Sequence, residues 1–161
     1  MCKYVWIKNE VPINLEVKQV YGIVFSEEGK ILLRVDNHKY KLTGGHPEER
    51  DNCFEDTLKR EFIEELNIEI KDICYLGYLL VEEDNVQYAQ IRMIARIKKI
   101  NDIRADIDNG KIYQRYMANQ NNVKNYLDYK DLAGNQMIDD AIKLANENYC
   151  FSTPNDKEYF L

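Results

Sequence analysis

Apolar positions crowd together from Val17 to Phe25, a stretch rich in β-branched and aromatic residues, and this predicts a strand. Ser26 to Gly29 is a turn, and Lys30 to Val35 is the expected hairpin partner. Lys39 to Leu42 predicts a short third strand ended by Gly44-Gly45. The period then changes. Phe54, Leu58, Phe62 and Leu66 recur every four residues and form one apolar stripe, so Asn52 to Leu66 predicts a helix. Asn52 is the expected N-cap, with Glu55 closing a capping box. Asn67 suits the left-handed conformation that often follows a helix.

Two longer strands follow, Glu69 to Val81 and Val86 to Ile97, joined over Glu82-Glu83-Asp84-Asn85. In the second, Ala89, Ile91, Met93, Ala95 and Ile97 share one face, and Tyr88, Gln90, Arg92, Ile94 and Arg96 share the other. Lys111 to Met117 is a further candidate strand and Asn121 to Leu127 a short helix. Gln136 to Asn146 predicts a terminal helix with Met137, Ile138, Ala141, Ile142 and Ala145 inward. Strands with one central and one terminal helix indicate an α/β (α+β) domain built on a mixed sheet. With 161 residues and no linker, repeat or low-complexity tract, the chain reads as a single domain over residues 1–161.

Composition narrows the function. The 28 acids outweigh 22 bases, for a net charge of −6, which argues against broad nucleic-acid binding. An anionic small molecule stays compatible if a divalent cation stands between it and the protein. The longest apolar runs are too short to cross a bilayer, so no membrane association is expected. The first residues carry no secretory pattern, and a cytoplasmic location is expected. Cys2, Cys53, Cys74 and Cys150 form no Cys-x-x-Cys pair and no zinc-like spacing with His38 or His46, so reduced thiols are expected.

The candidate chemistry lies on the first helix. Glu61, Glu64 and Glu65, at i, i+3 and i+4, fall within one sector of the helix, and Glu61 and Glu65 border the apolar stripe. Clustered carboxylates are hard oxygen ligands suited to magnesium or manganese. On an exposed helix such acids are usually just a solvated face, costing only about 0.2–0.5 kcal/mol per like-charged pair. Where the site is sheltered the balance changes. Two carboxylates about 4 Å apart repel by roughly 4 kcal/mol at an effective dielectric near 20. A cation is then needed to keep them ionised. Gly44-Gly45, just upstream, lets backbone approach a ligand closely.

From Gly44-Gly45 through Arg60-Glu61-Phe62-Ile63-Glu64-Glu65 to Asn67-Ile68, the chain resembles the box of the Nudix (MutT-like) hydrolases, Gly-x5-Glu-x7-Arg-Glu-U-x-Glu-Glu-x-Gly-U, with U bulky and apolar. The Arg-Glu-x-x-Glu-Glu core fits position by position. The loop between Gly45 and Arg60 is one residue longer than the pattern, so the isolated glutamate of the box falls on Asp51 or Asn52. Asn67 replaces the late glycine, and Thr43 stands where a proline often precedes the glycines.

The resemblance implies an α/β/α sandwich with a central catalytic helix and a C-terminal helix. It implies catalytic roles for Arg60, Glu61, Glu64 and Glu65. A Mg2+ site (Mn2+ as a substitute) would be formed by Glu61, Glu64, Glu65 and the Gly44 carbonyl, with Arg60 orienting the glutamates. The implied reaction is hydrolysis of a diphosphate bond in a nucleoside diphosphate linked to another group: a nucleoside triphosphate, nucleotide sugar, ADP-ribose-like compound or dinucleotide. The alternative is a non-catalytic module of the same fold that senses a nucleotide. The isomerases of this fold are disfavoured, because Cys53 lies within the helix start and not ahead of the box.

For the substrate, Arg92, Gln90 and Gly45 are the candidates, Arg92 because a guanidinium matches phosphate geometry. Glu82, Glu83, Asp106 and Asp108 are four candidates for a further carboxylate from a later loop. Tyr40, Tyr88, Tyr113 and Tyr116 are candidates to stack on a base, although packing is the commoner role. His46 lies near enough in sequence to touch phosphate. The oligomeric state, a homodimer included, is left open.

Overall fold

The structure is a computed structural model describing residues 1–129, 131–153 and 155–161. Its elements are β1 (Lys3–Lys8), β2 (Val17–Phe25), β3 (Ile31–Asp36), β4 (Lys39–Lys41), β5 (Thr43–Gly45), α1 (Phe54–Leu66), β6 (Ile68–Glu83), β7 (Val86–Ile100), β8 (Gln114–Ala118), α2 (Val123–Leu127), α3 (Leu132–Asn148) and β9 (Tyr159–Phe160). The strands form one sheet in the order β1-β6-β7-β2-β3-β8-β9, with β4 added beside β3 and β5 beside β2. The β2–β7 pair is parallel and the other pairs are antiparallel, so the sheet is mixed as expected.

Strand alternation places a helix on each face. Val20 and Val24 of β2, with Ala89, Ile91, Met93 and Ala95 of β7, pack against Leu58, Phe62 and Leu66 of α1. Ile23, Phe25 and Ile94, on the opposite face, pack against Met137, Ile138, Ala141 and Ala145 of α3. Each of these residues is almost wholly removed from water. At about 25 cal/mol per Å² of apolar surface, this burial is the main force holding both helices to the sheet.

Several expectations change in the fold. The second face of β7, with Gln90 and Arg92, is covered by α3: Arg92 is 5% exposed and Ile94 fully buried. Helix α1 begins at Phe54 with Cys53 as its cap residue and no side-chain cap. Asn52 is not the N-cap and Glu55 closes no capping box; instead the Asn52 N–H donates to Asp56 Oδ2 at 3.2 Å. Asn67 does end the helix in the left-handed region, at φ 51°. The β6–β7 hairpin is tighter than expected, since both strands extend until only Asp84 and Asn85 turn, each with positive φ. Such a pair matches the two-residue hairpin turn favoured by strand twist.

The eighth strand starts at Gln114, not Lys111, and α3 starts at Leu132, capped by Asp131 whose side chain accepts from Gly134 N. Strands β1 and β9, short and mostly exposed, carry too little alternation to be foreseen.

The feature that shapes the site is a parting of strands. β2 and β3 form the expected hairpin but pair only at Phe25–Ile31. Beyond that point β2 takes β5 as its neighbour, with Val20, Tyr21 and Gly22 opposite Gly45, Gly44 and Thr43. Gly44-Gly45 therefore do not merely end a strand; they form one. A side chain at Gly44 would stand 2.0 Å from the Val20 carbonyl oxygen, so the pairing depends on glycine there.

Candidate active site

The loop from residue 46 to residue 53 folds back over α1, and Arg60 organises it. Arg60 Nε and Nη2 donate to Asp51 Oδ1 and Oδ2 at 3.0 and 2.9 Å, a two-pronged bond. Nη2 also donates to the His46 carbonyl at 2.8 Å. Nη1 donates to Glu61 Oε1 at 2.8 Å and to Glu64 Oε2 at 3.0 Å. The same guanidinium thus binds the loop to two of the three helix acids. Of the two candidates for the isolated acid of the box, the structure selects Asp51. Its carboxylate also accepts from Thr57 Oγ1 and the Glu48 N–H, and Arg60 holds its pKa far below the usual carboxylate range.

Glu64 and Glu65 are buried, at 6% and 9% exposure, although Glu64 is the one that does not border the apolar stripe. The loop explains this: Arg50 Nη2 reaches Glu64 Oε1 at 2.8 Å and covers it. Glu65 Oε1 accepts from Arg34 Nη1 of β3 at 2.6 Å, whereas Glu65 Oε2 is buried without a hydrogen-bond partner. Loss of hydration pushes the Glu65 carboxyl up to about 7; Arg34 and the nearby Thr43 hydroxyl oppose the shift, and Glu61 and Asp106 add to it. Glu61 is raised for the same first reason, burial. Gly45 is what admits Glu61: a Cβ there would lie 2.3 Å from Glu61 Oε1.

Of the four later-loop acids, the fold brings two to this cluster. Asp106 and Asp108 sit close enough to raise the pKa of Glu65 and Glu61 respectively. Asp106 is 5% exposed, and its Oδ1 accepts from the Asp108 N–H at 2.8 Å. Glu82 and Glu83 lie elsewhere, at the β6–β7 hairpin, where they meet Lys3, Gln87 and Tyr88.

Among the described residues no three His, Cys, Asp or Glu side chains already converge as ligands of one cation, because the helix acids are turned to arginines. The donor set nevertheless suits a hard divalent cation. It contains adjacent carboxylates in a sheltered place, one buried carboxylate oxygen without a partner, and a glycine cradle against Glu61. A cavity of about 250 Å³ opens beside the site where β2 and β3 part, lined by Gln19, Tyr21, Arg34, Lys41, Gln90 and Arg92 among others. Arg34 belongs to both cavity and cluster, through its bond to Glu65.

Gln90 and Arg92 are thus brought to a cavity; Gly45 faces Glu61, not the cavity. Tyr40 lines the cavity, but Tyr88 lies under Lys18, Tyr113 under Arg34, and Tyr116 is packed with Tyr40 and Tyr126. His46 contributes its carbonyl and its side chain is exposed. Gln19, Tyr21, Arg34 and Arg50 were not foreseen, because each is a single polar residue in a strand or loop whose role depends on what folds against it. A larger cleft of about 570 Å³ runs along α1 by Glu55, Lys59 and Ile63 and holds none of the clustered acids. All four cysteines are free. No described helix is long and apolar enough to cross a membrane.

No family model matches the sequence, and no curated protein matches it. Solved structures do. The pyrophosphohydrolase BsRppH of Bacillus subtilis superposes with a TM-score of 0.69 at 22% identity, covering 91% of this chain and 92% of that one. A Nudix hydrolase from Nitrosomonas europaea gives 0.60 at 17% identity, covering 83% and 93%. The Nudix domain of Shewanella oneidensis NrtR, solved with ADP ribose, gives 0.59 at 17% identity, covering 84% and 94%. With α1 and α3 on the two faces of one mixed sheet, matched over most of its length by these structures, this chain has the Nudix fold.

Proposed function

We propose that this chain is a divalent-metal-dependent pyrophosphohydrolase that cuts a diphosphate bond in a nucleoside diphosphate linked to another group. Nucleoside triphosphates, nucleotide sugars, ADP-ribose-like compounds and dinucleotides are the candidate substrates. The observation that carries this reading is the partnerless, buried Oε2 of Glu65 beside a Glu61 carboxylate seated against Gly45. An ionised oxygen without water or a donor is costly, and a bound cation is the natural complement of two such carboxylates.

Glu61, Glu64 and Glu65 with the Gly44 carbonyl would hold Mg2+, or Mn2+ in its place. When bound, that ion neutralises diphosphate charge and lowers the pKa of an attached water. Arg60 holds Glu61 and Glu64 beside the loop through Asp51, and a bound cation would take over part of that charge pairing. One of the box glutamates accepts the proton of the attacking water. Arg34 and Lys41 supply positive charge to the phosphates, while the buried Arg92, stacked on Tyr21, holds Gln90 in place.

One observation favours a second reading, a nucleotide-binding module without catalysis: each helix acid is already held by Arg60, Arg50 or Arg34. The two readings separate in one experiment. The purified chain is incubated with Mg2+ and a panel of nucleoside triphosphates, nucleotide sugars, ADP-ribose and dinucleotides, with Glu65→Gln in parallel. Cleavage at a diphosphate bond by wild type alone supports the hydrolase. A rise in melting temperature with one compound and no product supports the binding module.

A further inference from the structure

Hydrogen bonds at the floor of the 250 Å³ cavity run in one direction. Arg92 is the starting point. Its guanidinium carries donors only, and it is fixed on every side. Nε meets Met137 Sδ at 3.1 Å, Nη1 donates to the Ile91 carbonyl at 3.2 Å, and the group lies 4.6 Å over the ring of Tyr21. Arg92 Nη2 reaches the Gln90 side chain at 3.2 Å. The atom it meets there must be the amide oxygen, because two donors cannot share a hydrogen bond. That choice turns Gln90 Nε2 toward Gln19 at 2.8 Å, and the atom it meets must again be an oxygen. Gln19 is thereby oriented in turn. Its amide oxygen is occupied, and no described residue accepts from its Nε2.

Among the described residues the Gln19 Nε2 N–H thus has no acceptor, while the amide oxygens of Gln19 and Gln90, which both line the cavity, each already take one hydrogen bond. The charged side chains on its wall, Arg34, Lys41 and Arg92, are donors as well. Tyr21, Tyr40 and Tyr129 supply aromatic surface. A space of about 250 Å³ is smaller than the ~300–1,000 Å³ typical of drug-sized ligands and suits a single ring system.

We infer that this cavity takes the base of an oxo-base nucleotide, with a ring carbonyl accepting from Gln19 Nε2, and that Gln19 discriminates against amino bases. The inference rests on the proposed nucleotide substrate. An exocyclic amino group would set donor against donor. Rotating the Gln19 amide to accept it would set Gln19 Nε2 against Gln90 Nε2. Rotating both amides would leave Arg92 facing an N–H. The arrangement that leaves both amides in place asks the Gln19 oxygen to take a second hydrogen bond beside Gln90 while its own N–H goes unused, so each way of holding an amino group forfeits a hydrogen bond that an oxo group makes, which corresponds to about tenfold or more in relative affinity.

Inosine and adenosine nucleotides isolate the contact, since they differ at the purine 6-position, oxo against amino. Hydrolysis of ITP, GTP and ATP with Mg2+, and calorimetric binding of IMP, GMP and AMP, are measured for wild type, Gln19→Glu and Gln19→Leu. The expected result is a preference of about tenfold or more for the oxo bases in wild type. Gln19→Glu keeps an oxygen for Gln90 and replaces the free donor with an acceptor, so the ratio moves toward the amino base. Gln19→Leu levels it. Wild-type ratios within threefold, or an oxo preference unchanged in Gln19→Glu, overturn the inference while leaving hydrolysis standing. If nothing is cut but IMP binds more tightly than AMP with the same response to Gln19→Glu, the catalytic reading fails and this one holds. If no nucleotide binds or is cut, both fail.

Discussion

Arg60 grips Asp51 with both arms of its guanidinium, at 3.0 and 2.9 Å, and so ties the loop before α1 to the acids on the helix. Both side chains are nearly removed from water, at 11% and 6% exposure. Asp51→Ala leaves a buried guanidinium with fewer acceptors, and the expected cost is about 1–3 kcal/mol. A fall of several degrees in melting temperature checks this, together with loss of any Mg2+-dependent stabilisation. Asn52→Ala, which removes the other candidate, leaves both readings near wild type because the Asn52 bond to Asp56 uses only its backbone.

Replacing Glu65 by Gln removes a proposed ligand charge at nearly constant shape. Turnover falls by about 100-fold or more, as expected for losing a few kcal/mol of transition-state stabilisation. The fold persists, because the glutamine oxygen still accepts from Arg34. Circular dichroism and a phosphate-release assay on the same preparation report the two effects separately. An active Glu65→Gln enzyme moves the catalytic site away from α1.

The two glycines separate fold from chemistry. Gly44→Ala drives a Cβ to 2.0 Å from the Val20 carbonyl, which is backbone and cannot step aside. The β2–β5 pairing fails, and the variant is insoluble or destabilised by about 1–3 kcal/mol or more. Gly45→Ala meets first the Glu61 carboxylate, a side-chain end, at 2.3 Å. That variant folds with a displaced Glu61, and its apparent Mg2+ affinity, read from activity against metal concentration, is weakened. Equal behaviour of the two variants contradicts the assignment.

The proton affinity of Glu65 gives a pH signature. Its carboxyl is raised from 4.5 to about 7 by burial, so the folded state binds the proton more tightly than the unfolded chain does. The associated stability is fully present below about pH 4.5 and is lost as pH rises through about 7. Without metal, wild type therefore loses more stability between pH 5 and pH 8 than Glu65→Gln does. Added Mg2+ compensates the charge, so its stabilising shift is larger at pH 8 than at pH 5. Thermal melts of both proteins at both pH values, with and without Mg2+, measure the difference. Parallel pH curves for wild type and variant contradict it.

The periodic parts of the chain were legible because their patterns are local. The four-residue stripe of Phe54, Leu58, Phe62 and Leu66 and the β-branched and aromatic run from Val17 to Phe25 are local signals, and the corresponding helix and strand are present. The helix start was not legible at Asn52, because Asp51 is held by Arg60 and Asp56 takes the Asn52 N–H, neither of which is visible as a capping pattern. That α3 covers the second face of β7 was not legible either, since nothing in a strand announces that a later helix will lie upon it.

By itself, the sequence determined the spacing of Arg60, Glu61, Glu64 and Glu65 on one helix and the glycines that precede it, because helical geometry converts spacing directly into neighbourhood. Only the tertiary structure decided that Asp51 and not Asn52 joins Arg60, and that Asp106 and Asp108, not Glu82 and Glu83, stand by the helix acids. It alone decided that Arg34 crosses to Glu65, and that Arg92, Gln90 and Gln19 line one cavity. The reason is physical. These contacts join residues far apart in the chain, and their geometry is set by the packing of two helices on a sheet whose strands part at Phe25 and Ile31.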